Sequence, residues 1–412
     1  MKTSTSKRLR WNVAIWLAAG LFMTSTAGMA SGPILPDPKA EARHHPQIEE
    51  TANGIPLVNI TAPSSGGVSR NEYEMFNVPD KGAILNNSYT LSKTELAGYV
   101  PGNNNMAERP AKIIVNEVTG TGSTSMDGFL EVAGNRADVV IANPNGITVN
   151  GGGFINTGKA FLTTGKPVYD GEDHLQRFDI TGGDILIEGK GLGGKETESL
   201  AILSRAVKIN AGIWAEDLHI TTGANTVDAK TLEASAIEGK GGRPAFALDT
   251  AAIGGMYAGR ITLVGTEKGL GVNNSGTWSA EDNLTLDWNG DLKNSGTIYS
   301  KGNTDLRASR LENDKTIAAE RNLSAAAKEN IRNQGKLLAG ENMGIYAGKT
   351  LDNAGHAMES GNNLSIETGD AINNAAGTIK SGGSQQIKAG HTLINQYRRH
   401  TGGRWKYKHT NG

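Results

Sequence analysis

Seven asparagines, Asn274, Asn294, Asn313, Asn333, Asn353, Asn374 and Asn395, recur at intervals of 19 to 21 residues. A second series keeps step with them. Asn283-Leu284, Asn303-Thr304, Asn322-Leu323, Asn342-Met343 and Asn363-Leu364 each follow a leader by 9 or 10 residues. Two series locked in phase mean that the chain repeats one structural unit, which buries its apolar side only against its neighbours. A period this short leaves no room for a pair of helices. It suits one coil of a parallel β-helix, in which two or three short strands are joined by turns.

The unit runs Asn-x-Gly-Thr-Ile, a few polar residues, Gly-Asn-Leu-x-Ile/Leu and a polar return, as from Asn294 to Ile298 and, with one residue inserted, from Asn374 to Ile379. Asparagine suits the corner twice over. It tolerates the left-handed backbone of a sharp turn, and amides stacked at one corner can hydrogen-bond up the ladder. Composition agrees with thin layers of strand: Gly is 55 of 412 residues and aromatics are 5%, where an ordinary chain has about 7% Gly.

Upstream, period-2 strands are clear from Phe178 to Gly271, with inward pairs Ile185/Ile187, Val207/Ile209, Leu218/Ile220 and Ile261/Leu263. Gly191–Gly194 and Gly239–Gly242 read as loops that leave the coil and return. Roughly 16 to 18 coils, stacked at about 4.8 Å, predict a rod of about 80 Å.

The N-terminus carries an address. Lys2, Lys7, Arg8 and Arg10 precede an apolar run from Val13 to Met23, and Gly28-Met29-Ala30 offers a small-x-small cleavage site between Ala30 and Ser31. The run is shorter than the ~20 residues a spanning helix needs, so residues 1–30 read as a signal peptide. Residues 31–60, rich in Pro, His and acid, are expected to be irregular. The adjacent His44 and His45 lack further ligands at workable spacing, so no metal is expected there. Residues 396–412 depart from the repeat as a basic tail with interleaved aromatics (Arg398, Arg399, Trp405, Lys406). The tail reads either as an anionic-surface binder or, more simply, as a chain ending inside an insertion. It is the expected point of truncation of a longer protein.

Several function classes find no support. Net charge is −1, without the concentrated basic charge that nucleic-acid binding needs. There are no cysteines, so no disulfide framework. No Gly-x-Ser-x-Gly, His-Glu-x-x-His or complete phosphate-binding Gly-x-x-x-x-Gly-Lys-Ser/Thr loop occurs. Asp184 and Asp249 stand singly, so no acid–base pair is nominated. Neither an enzyme nor a cofactor is expected.

The segment from Ala111 to Gly165 is more specific. Ala111-Lys112-Ile113-Ile114-Val115-Asn116-Glu117-Val118-Thr119-Gly120 is followed by Asn143-Pro144-Asn145-Gly146-Ile147, Gly153-Phe154-Ile155-Asn156-Thr157 and Leu162-Thr163-Thr164-Gly165. Their order and spacing resemble the secretion domain of two-partner-secretion exoproteins, the filamentous-haemagglutinin family. Ala247–Thr250, Gly254–Arg260 and Gly265–Glu267 resemble its continuation in haemagglutinin and contact-dependent-inhibition exoproteins. The array from Gly271 is similar to the haemagglutinin repeats.

The resemblance implies an all-β fold, a right-handed parallel β-helix with an N-terminal cap and about 20 residues per coil. The implied domains are 31–60 for the mature N-terminus and cap entry, 61–270 for the secretion domain and 271–395 for the repeats. It implies passage through the general secretion machinery, then recognition by the periplasmic domains of a dedicated outer-membrane barrel transporter. The product would be a secreted or surface adhesin with an unknown receptor. A contact-dependent-inhibition stalk, a pore-forming haemolysin or a β-helix polysaccharide-degrading enzyme are the alternatives.

The family's Asn-Pro-Asn-Leu motif falls on Asn103-Asn104-Asn105-Met106, with its Pro and Leu replaced. Its second motif is intact at Asn143–Ile147. Where some members carry a cysteine pair, this chain has Val149 and Gly152. From turn chemistry, Pro144 suits position i+1 and Asn145 or Gly146 accepts positive φ. Whether these residues only turn the chain or also meet the transporter is open at this level.

Overall fold

The computed structural model describes residues 34–107 and 109–395; the Ala30–Ser31 cleavage point and the basic tail 396–412 lie outside them. Apart from 3-10 turns at Ala42–His44 and Asn104–Met106, every regular element among the described residues is a strand. One coil shows the plan. Gly271–Asn274 lies on a first face, Thr277–Ala280 on a second and Leu284–Trp288 on a third; Leu292–Asn294, Thr297–Ser300 and Thr304–Ala308 repeat the circuit. Partners are parallel and one period apart, with Val272 opposite Leu292, Trp278 opposite Ile298 and Leu286 opposite Leu306. The first face alone is a 12-stranded sheet.

The right-handed solenoid makes about 13 turns of roughly 21 residues. At ~4.8 Å per turn it is about 60 Å long, shorter than the expected rod. The missing coils went into the cap and three insertions. Residues 31–60 are not irregular in their described part. Gln47–Glu50 pairs antiparallel with Pro56–Asn59 at the start of the second face, and Leu35–Pro36 pairs antiparallel with the third-face strand Val68–Met75. These antiparallel strands close the edge that a parallel stack would otherwise present.

Inside, each face contributes a column of apolar side chains. Val272, Leu292, Leu311, Ile331, Leu351 and Ile372 form one; Met256, Trp278, Ile298, Ile317, Leu337 and Met358 form another; all are buried. The two large indoles keep partners for their N–H groups, Trp278 donating to Thr250 Oγ1 at 3.0 Å and Trp288 to the Leu270 carbonyl at 2.8 Å.

At the corner between the first and second faces the repeated asparagines form one continuous chain. Each Nδ2 donates to Oδ1 of the next coil: Asn274 to Asn294, Asn294 to Asn313 and Asn313 to Asn333 at 2.8 Å each, Asn333 to Asn353 at 2.7 Å, Asn353 to Asn374 at 2.6 Å and Asn374 to Asn395 at 2.9 Å. The side chains from Asn274 to Asn374 are buried. The second series makes a shallower ladder at the next corner, where Asn283 Oδ1 accepts from the Asn303 backbone N–H and Asn303 Oδ1 from Asn322 Nδ2.

Two additions cover the outside of the first coils. Lys166–Tyr169, Leu175–Ile180, Asn225–Asp228 and Ala234–Ala236 form a four-stranded antiparallel sheet over the third face. Phe178, Ile180 and Val227 pack there on the outward Val115, Val140 and Phe161. A hairpin, Ser92–Thr94 with Gly98–Val100, covers Ile84 and Ala133 of the second face. Gly239–Gly242 belongs to the return from the outer sheet. Gly191–Gly194, by contrast, does not leave the coil. Leu192–Gly194 is a second-face strand paired with Gly152–Gly153 and Ile213–Ala215.

Candidate functional site

The two asparagine motifs are built alike. Asn143 is buried and its Oδ1 accepts from the Asn145 backbone N–H at 2.9 Å, while its Nδ2 donates to the Gly122 carbonyl at 2.9 Å and Thr124 Oγ1 at 3.0 Å. Asn145 Nδ2 donates to the Gly120 carbonyl at 2.8 Å. The Gly146 N–H closes the turn onto the Asn143 carbonyl at 3.1 Å, and Gly146 has φ 111°. It is therefore Gly146, not Asn145, that takes the positive φ. Ile147 enters the core. Only Pro144 and Asn145 are exposed.

Asn103 repeats the pattern. Its Oδ1 accepts from the Asn105 N–H at 3.0 Å, its Nδ2 donates to the Ile60 and Asn86 carbonyls at 2.9 Å each, and Asn105 Nδ2 donates to Ile60 at 3.1 Å. Asn104 is the exposed residue and Met106 is buried in the main core. In both motifs the first asparagine bonds its own turn and the preceding coil at once, leaving the second residue to solvent. The structure does not bring the motifs to one corner. Asn103–Met106 links the second face to the third, whereas Asn143–Ile147 links the third to the first.

A second cluster was not legible in the sequence. His44, from the cap, is buried with Nδ1 at 3.1 Å from Glu72 Oε1. Arg70 pairs with Glu72 at 2.8 Å and Glu117 at 3.3 Å, and its guanidinium lies 4.5 Å from the centre of the Tyr169 ring in the outer sheet. Arg43 reaches Asp173 at 2.7 Å. Burial, then the nearby Arg70, holds the His44 pKa below its usual value; burial raises that of Glu117. Cap, first coils and outer sheet thus meet on one arginine. Among the described residues no group of three or more His, Cys, Asp or Glu side chains is placed to hold a metal.

Replacing Arg70 with Met leaves the Glu117 carboxylate buried without its cation, so stability is expected to fall by about 3 kcal/mol at neutral pH. A folded pKa above the unfolded value gives stability present at low pH and lost as pH rises through it. The deficit of Arg70→Met should therefore shrink toward about pH 4. Urea unfolding at the two pH values checks this; equal losses at both would contradict it.

A capped parallel solenoid with buried Asn-x-Asn turns defines a class. The family model of the TPS secretion domain matches residues 33–300, and that of the haemagglutinin repeat matches 299–355 and 318–396. The chain belongs to the family of two-partner-secretion exoproteins with a TPS secretion domain. The first match runs past residue 270, the boundary expected from the start of the repeats.

Among its relatives are a Toxin CdiA of Yersinia pestis, 41% identical over 67% of this chain and 9% of that protein, and a 16S rRNA endonuclease CdiA of Enterobacter cloacae, 38% identical over 78% and 10%. The chain spans about a tenth of the length of the curated relatives it matches. The solved filamentous hemagglutinin secretion domain superposes with a TM-score of 0.54 at 25% identity, over 88% of this chain and all of that one.

Proposed function

We propose that this chain is the exported N-terminal portion of a two-partner-secretion exoprotein. Residues 1–30 direct it through the general secretion machinery. The periplasmic domains of a dedicated outer-membrane barrel transporter then read residues 61–270, with Asn103–Met106 and Asn143–Ile147 as recognition motifs, and the coils stack outside the cell. The observation that carries this is the division of labour in the second motif: Asn143, Gly146 and Ile147 are buried in the fold, while Pro144 and Asn145 are exposed at the tip, which the Asn145 amide pins to the Gly120 carbonyl. Each finished coil offers its strands to the next, so folding outside opposes back-sliding without a nucleotide.

The exposed product is a haemagglutinin-like surface protein. A contact-dependent-inhibition stalk is the second reading, favoured by relatives named as CdiA toxins whose length this chain covers only in small part. Co-expression with a barrel transporter of the two-partner-secretion class from the same genome tests the proposal. The protein should reach the surface or medium only when the transporter is present; equal release without it would overturn the reading.

A further inference from the structure

Over successive coils the outward side of the second face carries glycine or an aromatic ring. Phe129, Gly153, Gly193, Trp214 and Tyr257 stand opposite one another in consecutive strands. Gly212 and Gly255, also opposite each other, precede the two aromatic residues. The rings lie down on this floor. A Cβ added to Gly153 would come within 2.4 Å of the Phe129 ring, one on Gly212 within 2.4 Å of the Trp214 indole, and one on Gly255 within 2.7 Å of the Tyr257 hydroxyl. Trp214 and Tyr257 are nearly parallel, 17° apart, with ring centres at 6.2 Å.

On the third face, and at Ile84 and Ala133 of the second, outward apolar side chains are covered by the outer sheet or the hairpin. These rings are not: Phe129, Trp214 and Tyr257 are 43%, 36% and 38% exposed. From the strand of Phe129 to that of Tyr257 the strip spans about 19 Å, four spacings of ~4.8 Å.

Charge and topology narrow the occupant. Charges of both signs flank these strands, Asp127 and Lys190 before them and Lys195, Glu216, Asp217 and Arg260 after them, and Asp217 pairs with Arg260 at 3.8 Å. An anionic or cationic polymer gains nothing there. A peptide adding as a strand needs a free edge, and these strands are paired on both sides. A flat row of open ring faces, whose π clouds are negative, fits instead the weakly positive C–H face of a sugar ring.

We propose that Phe129, Trp214 and Tyr257 form a binding strip for an uncharged oligosaccharide, its pyranose rings stacked on the aromatic faces and its hydroxyls bonded to Lys195 and Glu216. The proposal is independent of transporter recognition, and either can fail alone.

Calorimetry on the secreted protein, with cellohexaose and chitohexaose as probes, tests it. At least one should bind saturably at concentrations up to about 1 mM, with little dependence on salt. Trp214→Ala should weaken binding about tenfold, a loss of ~1.4 kcal/mol. Gly212→Ala keeps both rings but lifts the indole off the sheet, and should weaken binding as well. Tyr257→Ser serves as the second ring variant if Trp214→Ala does not fold.

Absence of binding by both hexasaccharides would overturn the proposal, as would binding unchanged in the ring variants. So would binding confined to sulfated glycans and abolished by salt. Self-association lost with Trp214 would assign the strip to contact between copies instead.

Discussion

Asn145→Ile is expected to leave most of the protein in the periplasm, with the amount outside the cell reduced about tenfold, equivalent to ~1.4 kcal/mol of lost recognition. The side chain sits at an exposed corner and donates to the Gly120 carbonyl. With its second bond, to Asn143 Oδ1 at 3.0 Å, its loss should cost the folded protein about 2 kcal/mol, the net worth of two such bonds. Asn143→Ala supplies the contrast. Its amide is buried and serves Gly122, Thr124 and Asn145, so it should lose both stability, by about 3 kcal/mol, and export. Immunoblots of periplasm and medium, together with urea unfolding of whatever is secreted, separate the two effects. Secretion of Asn145→Ile at the normal level would remove the exposed tip from the recognition site.

The amide ladder should show a larger effect on stability. In Asn313→Asp the new carboxylate keeps the shape of the amide but cannot donate to Asn333 Oδ1, and it is buried as a charge beside that oxygen. A buried unpaired charge costs about 4 kcal/mol at neutral pH. The sign of its pH dependence is set by the same burial. The folded pKa of the new acid is raised above the ~3.9 of a free aspartate, so its penalty is absent below that value and grows as pH rises through the folded pKa. Protonated, the acid has a donor and can mend the ladder. Unfolding midpoints should approach those of the parent protein near pH 4 and diverge toward neutrality. A pH-independent loss would mean that the corner is held by packing, not by the amide chain.

The repeat could be read because its constraint is local and periodic. Each corner needs a short amide and each face an inward apolar residue, so Asn294, Asn313 and Asn333 mark the coils directly. Alternation fails in Ala137–Ala142, where Val139 and Val140 are both buried because the outer sheet covers the side that would otherwise meet water. That sheet draws Lys166–Tyr169 and Leu175–Ile180 from one insertion and Asn225–Asp228 and Ala234–Ala236 from another, and no periodicity links such distant segments. Leu192–Gly194 looked like a loop because glycine usually breaks strands, yet here the missing side chains leave a flat outer face. At the site, turn chemistry showed where the chain bends at Asn143–Ile147 but not which side chains point outward. His44 falls in a stretch expected to be irregular; its partner Glu72 is remote in sequence.

The stacking of one coil on the next, residue 275 over residue 295, has a direct test in a chain with no cysteine of its own. The hydroxyls of Ser275 and Ser295 lie 3.1 Å apart on successive coils. Coils about 4.8 Å apart fall within the Cα separation that a disulfide bridges, whereas two coils, at ~9.6 Å, do not. The secreted Ser275→Cys/Ser295→Cys protein should form an intramolecular disulfide under mild oxidation, and Ser275→Cys/Asp314→Cys should not. A bridge in the second pair, or in neither, would contradict the stacked solenoid.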